Sequence, residues 1–172
     1  MDTLLITKTK GATSSWGHTC AQLFVTDKGY VFIALMKRQS EVLMALKEFT
    51  KHVGAPDMII SNGAMEQQSK ALRSFLNDIG TTLKVLERGT PSANKAELYI
   101  GLIKEATRKD MKESDSPLVF WDSCLERRMM IQNLTAKDLF QLHGSNPHTE
   151  LTGDDGDISN LCAFAWYQWF LL

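Results

Sequence analysis

Apolar residues recur along this chain at two spacings, and the spacings predict its elements in order. Leu4-Leu5-Ile6 is a short apolar run directly after Asp2-Thr3, and it predicts a first strand whose beginning is missing. Residues 19–25 and 30–36 are rich in β-branched and aromatic side chains, and Asp27-Lys28-Gly29 between them supplies turn chemistry, so they predict a hairpin. Val42, Leu46, Phe49 and Val53 then follow Ser40, a plausible N-cap, at helical spacing, until Gly54 and Pro56 stop the pattern. Met58-Ile59-Ile60 reads as a short buried strand. Leu72, Phe75, Leu76 and Ile79 before Gly80 make a second amphipathic helix, and residues 82–86 return as a strand.

A turn with Pro91 and Asn94 opens a third helix that runs to about Lys112. Ser116-Pro117 is read as a cap and first-turn proline ahead of a fourth helix carrying Phe120, Cys124, Leu125, Arg128 and Ile131. A short helix is expected over residues 135–142, a loop over 144–157, and an aromatic segment from Leu161 onward. Hairpin-connected strands followed by alternating helices and strands imply an α/β fold, with a mixed central sheet of about five strands covered by helices. In such a sheet, strand ends and a helix start can converge. Asp2, Ser61-Asn62 and Glu97 are the candidates for that convergence.

Composition changes this picture little. At 172 residues and 44% hydrophobic, the chain suits one core with an appendage, and its net charge of -1 gives no global attraction to nucleic acid. Local clusters such as Lys104, Arg108, Lys109 and Lys112 would have to supply it. Cys20, Cys124 and Cys162 are odd in number and far apart, which argues against both a disulfide framework and a zinc site. His18, His52, His143 and His148 have no paired spacing for metal ligation, and Asp154-Asp155-Gly156-Asp157 lacks the alternating ligands of a calcium loop. No apolar run approaches bilayer length and no signal peptide is evident, so an intracellular protein, nuclear or cytoplasmic and neither secreted nor membrane-bound, is expected.

The candidate chemistry lies at Thr90-Pro91-Ser92-Ala93-Asn94-Lys95-Ala96-Glu97. Glu97 falls in the first turn of its helix, and steps of three and four residues from it meet Gly101, Lys104 and Arg108. An acid facing a loop is a possible metal ligand, and cations further along suit a phosphate backbone. A solvated helix of mixed charge fits the same pattern.

Several segments in order resemble the integrase catalytic core of copia-type long-terminal-repeat retrotransposons. They are Asp2-Thr3; Met36-Lys37-Arg38-Gln39-Ser40-Glu41-Val42; Asn62-Gly63-Ala64-Met65-Glu66; and Thr90-Pro91 through Asn94 to Glu97. Phe120-Trp121, Asn133, Asn146-Pro147 and Ser159-Asn160-Leu161 resemble segments that follow. The resemblance implies a ribonuclease-H-like fold and a polynucleotidyl transferase using Asp, Asp and Glu with Mg²⁺ or Mn²⁺. Asp2, Asn62 and Glu97 then take the catalytic and metal positions, with Ser61 as the alternative middle position. Lys104, Arg108, Lys109 and Asn94 take DNA contacts. The core spans residues 1–134, truncated at its first strand, and residues 135–172 form an extension of helix and strand.

The middle position departs from the family. Aligning on Asn62-Gly63 puts Ser61 in the slot, with 35 residues between it and Glu97; aligning on Gly63-Ala64-Met65-Glu66 puts Asn62 there, with 34. Neither side chain is a carboxylate. Two Mg²⁺ ions roughly 3.5 to 4 Å apart repel each other, and shared anionic ligands make the double site tolerable. A charge lost about 4 Å from a cation costs on the order of 4 kcal/mol at an effective dielectric of 20, or about three decades in affinity at most. The first expectation is therefore an integrase core with impaired metal binding and no catalysis, partnered by DNA and by further copies of itself. The second is a non-enzymatic module that binds DNA or protein. The third is a working nuclease that recruits Glu66 or Asp57.

Overall fold

The computed structural model describes residues 1–5, 13–61, 69–86, 95–136, 142–159, 161 and 165–167, with residues 2–5 described by their backbone. Its elements are β1 (Asp2–Leu5), β2 (Cys20–Val25), β3 (Val31–Met36), α1 (Val42–His52), β4 (Met58–Ser61), α2 (Lys70–Asp78), β5 (Thr82–Val85), α3 (Lys95–Glu113), α4 (Trp121–Leu134) and α5 (Pro147–Thr152). The expected hairpin is β2–β3, paired from Cys20↔Met36 to Val25↔Val31. Its turn closes through the Gly29 N–H on the Thr26 carbonyl at 3.1 Å, with Gly29 at φ +81°.

The sheet expected as one unit of about five strands takes the form of two ladders. One is antiparallel, in the order β1-β2-β3, and the other is the parallel pair β4-β5. They meet where the Met1 amine donates to the Ile60 carbonyl at 2.5 Å. This places the start of β1 between β2 and β4. The meeting is short because β4 ends at Ser61, one residue beyond it.

Strand alternation sends apolar residues to both faces. On one face Phe24, Met36, Leu46, Phe49, Ile59 and Leu72 form a core with α1 and α2, in which the Phe24 and Phe49 rings stack at 4.6 Å. On the other, Leu23, Val31 and Ile33 pack with Ile103 of α3 and Trp121 and Leu125 of α4. Cys124 is buried in this second core, where desolvation, followed by the nearby Asp110 charge, pushes its thiol up to about 12. Cys20 is likewise buried and free; Cys162 lies outside the described residues.

Three local expectations are corrected. Ser40 does not cap α1. A 3-10 turn over Gln39–Glu41 precedes that helix, and the Glu41 carboxylate accepts the Lys37 N–H at 2.9 Å instead. Ser116 does not cap α4 either: Pro117 leads into a second 3-10 turn, Leu118–Phe120, and the Ser116 hydroxyl accepts the Trp166 indole N–H at 3.0 Å. The expected loop over residues 144–157 contains α5. Asn146 caps it by accepting the Thr149 N–H at 2.9 Å, and Pro147 fills the first turn, where a missing N–H costs nothing. Of the short helix expected over residues 135–142, residues 137–141 lie outside the described residues.

Polar contacts hold α4 in place. Asn133, buried on α4, accepts the Val31 N–H at 2.8 Å and donates to the Val31 carbonyl at 2.7 Å, so it pairs the outer edge of β3 as a neighbouring strand would. Arg128 forms a two-pronged pair with buried Asp110 of α3, and Arg127 lies 3.6 Å from the same carboxylate. Burial pushes the Asp122 carboxyl up, but hydrogen bonds from Ser14, His18 and the Ser123 N–H outweigh it and hold it below the usual range. An ionised carboxylate only accepts, so His18 carries its proton on Nδ1, 2.8 Å away.

Replacing Asn133 by Ala leaves two buried backbone groups of Val31 unpaired. We expect a loss of about 2 kcal/mol or more in urea unfolding, seen as a lower midpoint at unchanged slope.

Candidate functional site

The site is built where β1, β4 and α3 approach. Asp2 is paired in register with Leu23 and directly follows the amine that bonds to Ile60. Ser61 directly follows Ile60, pairs with Val85, and accepts the Leu86 N–H at 2.8 Å through its carbonyl. The two candidate positions therefore lie on adjacent backbone across the junction of the ladders. The Ser61 side chain is fully buried, at 0% exposure, and shares the face of Ile59, which packs with α1 and α2. Asn62, Glu66 and Asn94 lie outside the described residues. Asp57 is exposed at the opposite end of β4, four strand steps or about 13 Å of backbone from Ser61.

Helix α3 is set by its buried face. Ala96, Tyr99, Ile103, Thr107 and Met111 recur at steps of three and four and pack over β2 and β1 and against α4. The same spacing leaves Glu97 exposed in the first turn and puts Gly101 and Arg108 in solvent, with Lys104 half-buried. Lys109 is exposed and pairs with Glu113 at 3.8 Å, one helical turn on. Lys95 ties the start of the helix to the β2–β3 turn by donating to the Asp27 carbonyl at 3.0 Å. The structure thus brings the helix of Glu97 to β1, and it lays the predicted cations along the outer side of that helix.

Two features of this helix escaped the sequence reading. Leu98 and Leu102 stand 63% and 52% exposed beside the cations, an apolar pair whose spacing of four residues was visible but was not separated from the core pattern. The Lys95 anchor depends on a backbone carbonyl 68 residues away, which no local pattern encodes.

Among the described residues, no group of three His, Cys, Asp or Glu side chains is placed to hold a metal ion. Glu97 offers one carboxylate and Ser61 a packed hydroxyl on the face away from α3. These two described side chains do not by themselves make a set for a pair of divalent ions; the Asp2 side chain and Asn62 lie outside the described groups. The four histidines do not change that, and His18 is engaged with Asp122.

No protein-family model and no curated protein matches the chain. Solved structures do. The HTLV-2 integrase catalytic core domain in complex with magnesium, in its trimeric form, matches at 18% identity with a TM-score of 0.61, over 77% of this chain and 84% of that one. Its dimeric form matches at 17% identity with a TM-score of 0.61, over 78% and 84%. The simian T-cell lymphotropic virus intasome matches at 17% identity with a TM-score of 0.66, over 80% of this chain and 49% of the other. At these identities the likeness is one of fold, and the chain has the fold of a retroviral integrase catalytic core, the ribonuclease-H-like arrangement.

Proposed function

We propose that this chain is the core of a copia-type retrotransposon integrase that keeps the scaffold and the DNA-facing helix but has lost strand-transfer chemistry. The observation that carries the reading is the junction at Met1 and Ile60, which sets Asp2 on backbone adjacent to Ser61, the residue that Asn62 follows in sequence. Helix α3 adds Glu97 at its first turn. These positions support the reading of a three-ligand site whose middle member, Asn62, is neutral. Asn62 is the lost ligand in this reading, because the buried Ser61 is packed away from α3.

Mg²⁺ or Mn²⁺ is the metal by resemblance, and its binding is weakened by the missing charge. DNA binding then rests on Lys104, Arg108 and Lys109, with Asn94 ahead of the helix. The dimeric and trimeric forms of the HTLV-2 core support self-association of this one. We place residues 1–134 in the core and 135–172 in an extension, of which Trp166 packs against the second hydrophobic core. The setting is intracellular, in nucleus or cytoplasm. A second reading, a binding module with no enzymatic ancestry in use, is favoured by Leu98 and Leu102 exposed beside the cations.

Nicking of labelled DNA in Mg²⁺ and Mn²⁺ tests the main reading. The chain as written is expected to be silent, Asn62→Asp to restore cleavage, and Glu97→Ala in that background to abolish it. A gain of up to about three decades in metal affinity corresponds to the recovered charge. Cleavage by the chain as written that Glu97→Ala removes would overturn the inactivity claim.

Ser61→Asp separates the two alignments. An unpaired carboxylate at a fully buried position should destabilise the fold by about 3 kcal/mol or more without restoring cleavage. A stable, active Ser61→Asp chain would assign the middle position to Ser61.

Titrating duplex DNA at several salt concentrations tests the helix. Arg108→Ala and Lys109→Ala should each flatten the dependence of log affinity on log salt by about 0.9. Unchanged slopes would remove those residues from the interface.

A further inference from the structure

Strands β3 and β5 form the two outer edges of the joined ladders, and the two edges differ. At the β3 edge, Asn133 occupies the N–H and C=O of Val31. At the other edge, β5 pairs with β4 alone among the described residues. Thr82 and Leu86 donate their N–H groups to the Asp57 and Ser61 carbonyls at 2.9 and 2.8 Å, so the even positions of this parallel ladder turn their backbone toward β4. Leu83 and Val85 therefore turn theirs outward. Their two N–H and two C=O groups have no partner among the described residues. An open row of this kind is a template for a further strand.

A cavity of about 500 Å³ lies along this edge, lined by Arg73, Leu76 and Asn77 of α2 and by Leu83 and Val85 of the strand. Leu76 is buried and Val85 stands 39% exposed, so apolar surface is open to an incoming side chain on the α2 face. Strand alternation sends Lys84 to the opposite face, where it is exposed. That lysine discriminates among strands. If two copies of β5 paired antiparallel about Lys84, their ammonium groups would fall directly opposite each other, which disfavours self-pairing. A carboxylate in the same place is favoured.

We propose that the β5 edge docks an extended segment of a protein partner with the alternation apolar, acidic, apolar, added as an antiparallel strand. In that direction one partner residue exchanges both backbone bonds with Val85, and the next but one exchanges both with Leu83. Residues directly opposite share a face, so these two side chains enter the cavity beside Leu76 and Asn77. The residue between them falls opposite Lys84 on the other face, where its carboxylate meets the ammonium. The backbone supplies the docking and the alternation supplies the selectivity.

Amide exchange of the full chain, with and without the peptide acetyl-Thr-Val-Glu-Val-Thr-amide, tests this. Saturating peptide should slow exchange at the Leu83 and Val85 N–H roughly tenfold or more, and leave the Val31 N–H, already bonded to Asn133, unchanged. The same peptide with both Val amides N-methylated should give no protection. With Lys in place of Glu it should bind roughly fivefold more weakly, and Lys84→Glu, at an exposed position, should reverse that preference. The peptide controls leave the protein untouched, so a folding defect cannot imitate the result. Absence of protection with the parent peptide, equal protection with the N-methylated one, or indifference to both charge exchanges would overturn the proposal. So would protection of Leu83 and Val85 that grows with protein concentration in the absence of peptide, which would assign the edge to a second copy of the chain.

Discussion

The join between the two ladders, made by one core that Phe24, Phe49, Ile59 and Leu72 share and by the contact of Met1 with Ile60, is the constraint on which the rest of this fold depends. It holds a three-stranded antiparallel ladder against a two-stranded parallel one. Each ladder alone has two open edges, and neither has enough strands to bury both faces. Joined at β1, they present a surface broad enough for α1 and α2 to cover one side and α3 and α4 the other. The position of Asp2 beside Ser61 follows from that one join, and α3 lies across β1 and β2.

The second core depends on charge as well as on apolar area. Asp110 is buried on α3 and meets two guanidinium groups from α4, whose geometry satisfies the carboxylate and whose joint loss would strand it. Asn133 completes the outer edge of β3, and Asp122 with His18 and Ser14 fixes the opposite end of α4. Helix α4 is therefore held at its start, middle and end by polar groups of other elements. That explains how a helix with little segregation of apolar residues still closes a core.

Electrostatics and shape place different demands on a metal-binding fold. Folds of this kind at 17% to 18% identity keep their cores because packing tolerates substitution of volume for volume. Charge is less forgiving. An Asn matches an Asp in size and offers an oxygen at the same reach, yet contributes no anion where cations would otherwise repel. Scaffold and chemistry can in this way separate at a single position.

Much of the fold was legible from local pattern. The β2–β3 turn at Asp27-Lys28-Gly29, the helix stops at Gly54 and Gly80, and the exposure of Glu97 and Arg108 all follow from steric and periodic rules that act over a few residues. The tertiary structure decided the rest. It gave the Ser116 hydroxyl to Trp166, made Asn146-Pro147 a helix start, and buried Ser61. These outcomes rest on hydrogen bonds and packing between residues far apart in the chain, such as Asn133 with Val31 across 102 positions. A sequence determines which side chains can pair; the assembled sheet alone determines which of them arrive within bonding distance.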